Sequence, residues 1–456
     1  MQLMKRRSVR IFGAGLCGSL LAVMLARRGF DVTAYERQND SRKANAPAGR
    51  SINLAMSARG IHALKHAGIF SRVEPLLVPM RGRFVHHEDG ATELQEYGQR
   101  PGEQIYSVSR ADLNRLLLSA AEDDHGVGIH FRHEALELDS GGVRIANLDD
   151  GSETVVSDTP MIAADGAGSV FRRALHESGT VKATDALLDH SYKELTMPPG
   201  PGGEFQLEPG ALHIWPRGGF MLIALPNPGG NFTMTLFLPN TGPQNFSKLR
   251  TGNEIEAFFD AHFADVRSLL PDLVEMFQQN PVGILGTVRC DGWHDGGRVL
   301  LVGDAAHAVV PFHGQGMNLA FEDCVLLDQI LDEQKLSWAE VFARFESGQV
   351  ANANAIADMA LENYIEMRDT VRNPKHILQK ELAFELERRL PSRFIPRYSM
   401  VMFHAEIPYE TAQQRGNIQA QLLDELTRDV DDVGQIDIDA AEREASARLA
   451  PLSKLH

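Results

Sequence analysis

Apolar and polar positions along this 456-residue chain follow two rhythms, one of strands and one of helices. The short run Ser8-Val-Arg-Ile-Phe12 gives way to a glycine-rich turn, then to an apolar stretch from Leu20 to Ala26 that stops at Gly29. A short β-branched run bounded by glycine reads as a strand and the longer one as a helix. A second strand, Val32-Thr-Ala-Tyr35, ends at Glu36-Arg37 and completes a β-α-β unit, so the chain opens with a parallel, doubly wound sheet. From about residue 185 to 285 the rhythm is two-residue alternation, as in Leu212-His-Ile-Trp-Pro, Phe220-Met-Leu-Ile-Ala-Leu and Phe232-Thr-Met-Thr-Leu-Phe-Leu, with glycine and proline between. A largely antiparallel domain is expected there.

The run Arg298-Val-Leu-Leu-Val-Gly303 is continuously apolar, as a strand buried on both faces must be, and returns the chain to the parallel sheet. Residues 317–400 read as helices, the first with Ala320, Leu327, Ile330 and Leu331 on one face. The expected fold class is therefore α/β. A discontinuous Rossmann-like dinucleotide domain takes 1–75, 98–183 and 285–375, an antiparallel sheet domain 76–97 and 184–284, and a C-terminal helical region 376–456.

Composition narrows the function. With 43% apolar and 23% charged residues the chain is ordinary globular material, and its formal charge of −16 repels nucleic acid and anionic lipid. Cys17, Cys290 and Cys324 are widely spaced and form no metal-ligand cluster, which points to a reducing, cytoplasmic setting. The basic start is followed by a glycine-broken run, not a signal peptide, and no stretch is apolar for the roughly 18–20 residues a membrane span needs. The partner expected is a small molecule, with a homodimer compatible.

In Gly13-x-Gly15-x-x-Gly18 the first glycine permits the turn, the second lets a pyrophosphate approach the backbone, and the third packs the helix closely. Glu36, 23 residues after Gly13, stands where a carboxylate accepts ribose hydroxyls, with Arg37 beside it. So far NAD and FAD both remain open. Two later segments bear on the choice: Met161-Ile-Ala-Ala-Asp165-Gly166-Ala-Gly168-Ser-x-x-Arg172, and Val302-Gly303-Asp304-Ala-Ala-His307 followed by Pro311-Phe-His-Gly-Gln-Gly316-Met317-Asn318.

In their order and spacing these elements resemble the FAD-dependent aromatic hydroxylases related to p-hydroxybenzoate hydroxylase. The resemblance implies that Asp165 lies near the FAD pyrophosphate and NADPH, that Asp304 holds the ribityl chain, and that Arg110 contacts FAD. Ala163 stands where the family usually has glycine. The segment Gly316, Met317, Asn318 opens a helix whose positive end would stabilise charge on a reduced flavin. FAD would be tightly but non-covalently bound, with NADPH and O2 as co-substrates and the flavin, not a side chain or metal, as the reactive centre.

A closer similarity runs almost the whole chain, to the bacterial branch of this family whose substrate is the aromatic amino acid kynurenine. It is carried by Gly49-Arg-Ser-Ile-Asn-Leu-Ala55, Met80-Arg-Gly-Arg-Phe-Val-His86, Leu212-His-Ile-Trp-Pro216, Pro311–Asn318, Leu361-Glu-Asn-Tyr-Ile-Glu-Met367 and Phe394-Ile-Pro-Arg-Tyr-Ser-Met400. It implies that Arg83, Tyr97, Asn363 and Tyr398 hold the amino-acid end of the substrate, and that Leu212, Met221, Ile223, Phe237, Phe312 and His313 surround its ring. The implied reaction is hydroxylation beside the ring amino group through a flavin C4a-hydroperoxide. Another aromatic acid as substrate, or a flavin redox sensor acting through a protein partner, stays open at this point.

Overall fold

The computed structural model describes residues 7–43, 53–157, 160–333, 335–370 and 373–452. Contacts group the chain into two units, the first made of 1–77, 108–188 and 285–354, the second of 78–107, 189–284 and 355–456. The C-terminal helices group with the second.

The first unit is built on a six-stranded sheet ordered His294–Asp295, Val299–Leu301, Met161–Ala163, Ser8–Phe12, Asp31–Glu36, Gly128–Phe131. All neighbours from Val299–Leu301 onward are parallel. Val9, Ile11, Met161, Ile162 and Leu300 are fully buried, which explains why these strands read as unbroken apolar runs. Helix Leu16–Arg27 buries nine of its twelve residues because helix Gly316–Ile330 packs on it as well as the sheet. Register then decides where chemistry can sit. Phe12 pairs with Tyr35 and with Ala163, and Ala163 pairs with Leu301, so the residues that follow, Gly13, Glu36, Ala164 and Val302, emerge at one edge. In parallel α/β sheets this carboxyl edge is where ligands bind.

In the second unit the strands run in the order Ala183–Met197, Phe232–Pro239, Met221–Pro226, Ala211–Pro216, Gly82–His86, Thr92–Glu96. The sheet is antiparallel as expected except at one join, where Ala211–Pro216 runs parallel to Gly82–His86. That pairing is between segments well over a hundred residues apart, beyond the reach of local pattern. One face of the sheet carries Leu195, Met197, Trp215, Leu222, Met234, Leu236 and Leu238, packed on Ile255, Phe259, Phe263 and Phe277 of the following helices. Side chains alternate across a strand, so the opposite face takes Arg83, Leu212, Ile214, Met221, Ile223, Thr235 and Phe237, with Leu212 beside Arg83 and Met221 beside Phe237. Helices Pro374–Arg389, Tyr409–Leu426 and Ile438–Arg448 close on a small core of Leu382, Leu386, Phe394, Leu422 and Ala445. Among the described residues no helix is long and apolar enough to cross a membrane.

Candidate active site

The first unit presents a cradle at its sheet edge. Gly13 adopts φ +97°, and a Cβ there would lie 2.3 Å from the Ala164 carbonyl oxygen, so only glycine lets the first turn pass the Asp165 strand. A Cβ on Gly18 would lie 2.0 Å from the Gly13 carbonyl oxygen, which seals helix to turn. Gly15 is different: among the described residues nothing lies within 4 Å of its Cβ position. The polypeptide does not need glycine there, whereas a group lying against the backbone does. Gly15 also caps helix Leu16–Arg27 without a side-chain hydrogen bond, leaving first-turn N–H groups for an anion.

Glu36 accepts hydrogen bonds from the Ala14 and Gln38 amides, each at 2.8 Å. A carboxylate has about four lone-pair sites, so capacity for two hydroxyls remains. Asp165 accepts from the Val170 amide at 2.8 Å through Oδ2, while its buried Oδ1 has no hydrogen-bond partner among the described residues. Burial pushes the Asp165 carboxyl up from its ordinary range. An orphaned carboxylate oxygen, an open glycine and an uncapped helix end together fit a dinucleotide such as FAD.

Asp304 is exposed, just past Gly303 at φ +58°. The turn is held from below by Asp323, whose Oδ2 accepts from the Gly303 amide at 2.8 Å and from His307 Nε2 at 2.7 Å, and whose Oδ1 accepts from Gln349 at 3.0 Å. Burial opposes charge on His307, but the Asp323 carboxylate outweighs it and raises the imidazole above its ordinary value. Arg172 ties the two aspartate turns together, donating to the Ala167 and Ala305 carbonyls. Asn114 donates to the Ala14 carbonyl at 3.0 Å from the helix that Arg110 begins, four residues earlier on the same face. Arg110 and Arg37 are both exposed.

The loop before helix Gly316–Ile330 turns at Gly314, φ +66°, with Phe312 and His313 buried in the preceding turn. Met317 is buried in the first turn of that helix, and Gly316 is half-buried. Asn318 is engaged by four backbone groups: its amide donates to the Ala55 and Gly314 carbonyls at 2.9 and 2.8 Å, and its oxygen accepts from the Ser57 and Gly60 amides. What it offers the cradle is position. Gly49 to Ile52, the start of one stretch quoted above, lie outside the described residues.

The second unit gathers Arg83, Tyr97, Asn363 and Tyr398, which lie up to 315 residues apart in sequence. Arg83 donates from Nη2 to Asn363 Oδ1 at 3.2 Å and from Nη1 to Glu366 Oε1 at 2.8 Å. Tyr97 and Tyr398 stack at 5.2 Å, and the guanidinium carbon lies 5.9 and 5.4 Å from their ring centres. Burial works against charge on Arg83, yet the carboxylate of Glu366 and the two phenols hold its proton more firmly than usual. Burial pushes both phenols up, so they remain neutral donors at working pH. Burial also presses Glu366 toward neutrality, but Arg83 outweighs it and keeps it ionised. Lys380 falls to about 8 through burial and then the charge of Arg83.

Leu212, Met221, Ile223 and Phe237 share the sheet face of Arg83, and all but the half-buried Ile223 are buried. Phe312 and His313 belong to the first unit. Spacing arguments missed Asn114 and Asp323; Arg172 ends the quoted Asp165 segment and Glu366 falls inside the stretch Leu361–Met367, but neither was given a role.

A parallel sheet whose carboxyl edge carries such a cradle defines a dinucleotide-binding protein, and the match of residues 6–340 to the family described as "FAD binding domain" makes it a flavoprotein. The chain is 48% identical to the kynurenine 3-monooxygenase of Xanthomonas axonopodis pv. citri over 453 residues, 99% of each chain. It is also 48% identical to that of Stenotrophomonas maltophilia, again over 99% of each. Within the FAD-binding class, the chain belongs to the kynurenine 3-monooxygenase family. Among solved structures, 2-methyl-3-hydroxypyridine-5-carboxylic acid oxygenase shares the fold, with TM-score 0.65 and 19% identity over 81% of this chain and 95% of that one.

Proposed function

We propose that this chain is a flavoprotein monooxygenase converting L-kynurenine, NADPH, H⁺ and O2 into 3-hydroxy-L-kynurenine, NADP⁺ and water. The observation that carries the reading is a charged, buried guanidinium, Arg83, on the same sheet face as Leu212, Met221 and Phe237. That face suits a molecule with a carboxylate at one end and an aromatic ring at the other.

Gly13, Gly15, Gly18, Glu36, Asp165 and Asp304 would hold FAD, which when bound would supply the redox chemistry that links NADPH and O2 to hydroxylation of the ring. The residues of the chain bind, orient and exclude water. Arg83 offers a two-pronged partner to the substrate carboxylate, with Asn363 and the neutral phenols of Tyr97 and Tyr398 adding directional bonds. The apolar face removes water from around the ring. Fixing both ends of the substrate presents one ring carbon, the one ortho to the amino group, to the reactive position.

The test is purification with flavin identification, then NADPH consumption and product mass with L-kynurenine. Hydroxylated product equal to NADPH consumed is expected. NADPH consumption without a product 16 mass units heavier, one oxygen atom added, overturns the reading. Anaerobic reduction by NADPH is expected to accelerate when L-kynurenine is present, because carboxylate capture at Arg83 reports occupancy.

A further inference from the structure

Two of the three cysteines meet beneath the cradle, where dinucleotide binding gives no reason for thiols. Cys17 stands in the first turn of helix Leu16–Arg27 and Cys324 in the middle of helix Gly316–Ile330. Their sulfurs lie 3.9 Å apart although 307 residues separate them in the chain. Both thiols reach the Ala320 carbonyl, Cys17 at 3.6 Å and Cys324 at 3.3 Å, and Cys324 Sγ lies 3.5 Å from the Cys17 carbonyl oxygen. A Cβ on Gly303 would lie 3.1 Å from Cys17 Sγ, so the glycine there leaves room for the sulfur.

The two thiols differ in access: Cys17 is half-buried and Cys324 is buried. The hydrogen bond with Cys324, then burial and the carboxylates of Asp323 and Asp304, hold the Cys17 thiol well above its ordinary range. A thiol so held reacts slowly, and mild oxidants leave the pair reduced. Once Cys17 is oxidised, however, a second thiol is already in contact with it, and a sulfenic acid condenses with a neighbouring thiol to a disulfide. Closing the pair takes the sulfurs from 3.9 Å to about 2 Å, by rotation of two short side chains.

We infer that Cys17 and Cys324 form a modification site at which hydrogen peroxide makes a disulfide, stapling the glycine turn of the cradle to helix Gly316–Ile330. Peroxide first converts the Cys17 thiol to a sulfenic acid and releases one water. The Cys324 sulfur then displaces the sulfenic hydroxyl, which leaves as a second water with the Cys324 proton. Overall the two thiols lose two electrons and two protons, and one peroxide becomes two waters. An oxygenase that reduces O2 without completing oxygen transfer releases this oxidant itself. The link joins residues 307 apart, so it removes conformations from the unfolded chain and stabilises the folded one. The inference does not depend on which aromatic compound is the substrate.

Peptide mapping tests it. Flavin-loaded protein is treated with hydrogen peroxide, then with catalase, unfolded in iodoacetamide and digested without reductant for mass spectrometry. The expected product is a linked pair of peptides, Cys17 to Cys324, lighter than the two separate peptides by two hydrogen atoms. Cys290, whose thiol burial pushes up to about 11, is the internal control and should be recovered alkylated. The Tm of the oxidised protein should rise by about 5 °C and return on reduction with dithiothreitol. In Cys324→Ser, Cys17 should be trapped by dimedone as the sulfenic acid and the peroxide-induced rise in Tm should vanish. In Cys17→Ser, Cys324 should be recovered alkylated.

No linked pair in wild type, or a linked pair only when peroxide meets the urea-unfolded chain, overturns the inference without any variant. Dimedone capture at Cys324 in Cys17→Ser equal to that at Cys17 in Cys324→Ser overturns Cys17 as the thiol attacked first. A linked pair with an unchanged or lowered Tm overturns the staple.

Discussion

The two functional regions are built from opposite materials. The cradle of the first unit is made mainly of backbone: glycines at its turn, the first turn of a helix, and carboxylates at strand ends. The anchor of the second unit is made of long side chains, Arg83, Tyr97, Tyr398, Glu366 and Lys380, each tuned by the others' charge. A backbone site gets its precision from sheet register and fails when a single methyl is added. A side-chain site gets its precision from electrostatic neighbours and fails when one of them is removed.

The largest effect expected is at Gly13. Gly13→Ala imposes a left-handed conformation costing about 1–3 kcal/mol, together with the clash against the Ala164 carbonyl, and should yield little folded protein and no bound flavin. Gly15→Ala sharpens the contrast: the apoprotein should melt as wild type does, since none of the described residues comes near that Cβ, while flavin absorbance after dialysis is lost. If both variants melt alike, the distinction between a packing glycine and a ligand glycine is broken.

Next in size is the anchor. Arg83→Met strands Glu366 without its cation and removes the carboxylate's partner, so substrate KM should rise about 100-fold, the effect of roughly 3 kcal/mol. Flavin content should be unchanged; flavin loss would make Arg83 part of the fold instead.

Asp323→Asn should cost about 1–2 kcal/mol through weakened support of Gly303, His307 and Gln349, read as a lowered Tm. The sign of its pH dependence follows from His307, whose folded value is raised. The stabilisation by its proton is complete below the unfolded value of about 6.5 and is lost as pH rises through the folded one. The variant's deficit should therefore be larger at about pH 6 than at about pH 9.

The smallest effect belongs to Lys380, which loses its proton near pH 8 and with it a positive charge that acts on Arg83 and Glu366. Affinity for an analogue of L-kynurenine lacking the α-amino group, which has no aliphatic amine of its own to titrate, should fall about two- to threefold across that pH. Lys380→Met should flatten the profile.

The cradle was legible because its constraints are local. A strand that must turn within one residue requires glycine, and a carboxylate at the next strand end recurs at a fixed distance, so Gly13, Gly18 and Glu36 announce themselves. Asp165 and Asp304 were named by the family resemblance that the segments around them carry. The supports were not legible: Asn114 and Asp323 bond to backbone groups of segments that local spacing cannot connect, and a lone polar residue in a helix carries no sign of such a partner. The shared face of Arg83, Leu212, Met221, Ile223 and Phe237 needed the register of four strands, including the parallel join of Gly82–His86 to Ala211–Pro216 that alternation alone does not predict. Resemblance named those residues; the fold supplies the reason they belong together.

The cradle's pieces, at residues 13–18, 36, 165 and 304, come from segments spread over most of the first unit. A ligand that touches all of them binds only the folded chain, so it stabilises folding by mass action, about 2.7 kcal/mol at a hundredfold excess over its Kd. Cofactor supply thereby becomes a control on protein lifetime. A cell short of flavin would hold more of this chain unfolded and open to proteolysis, and would lose enzyme as well as activity.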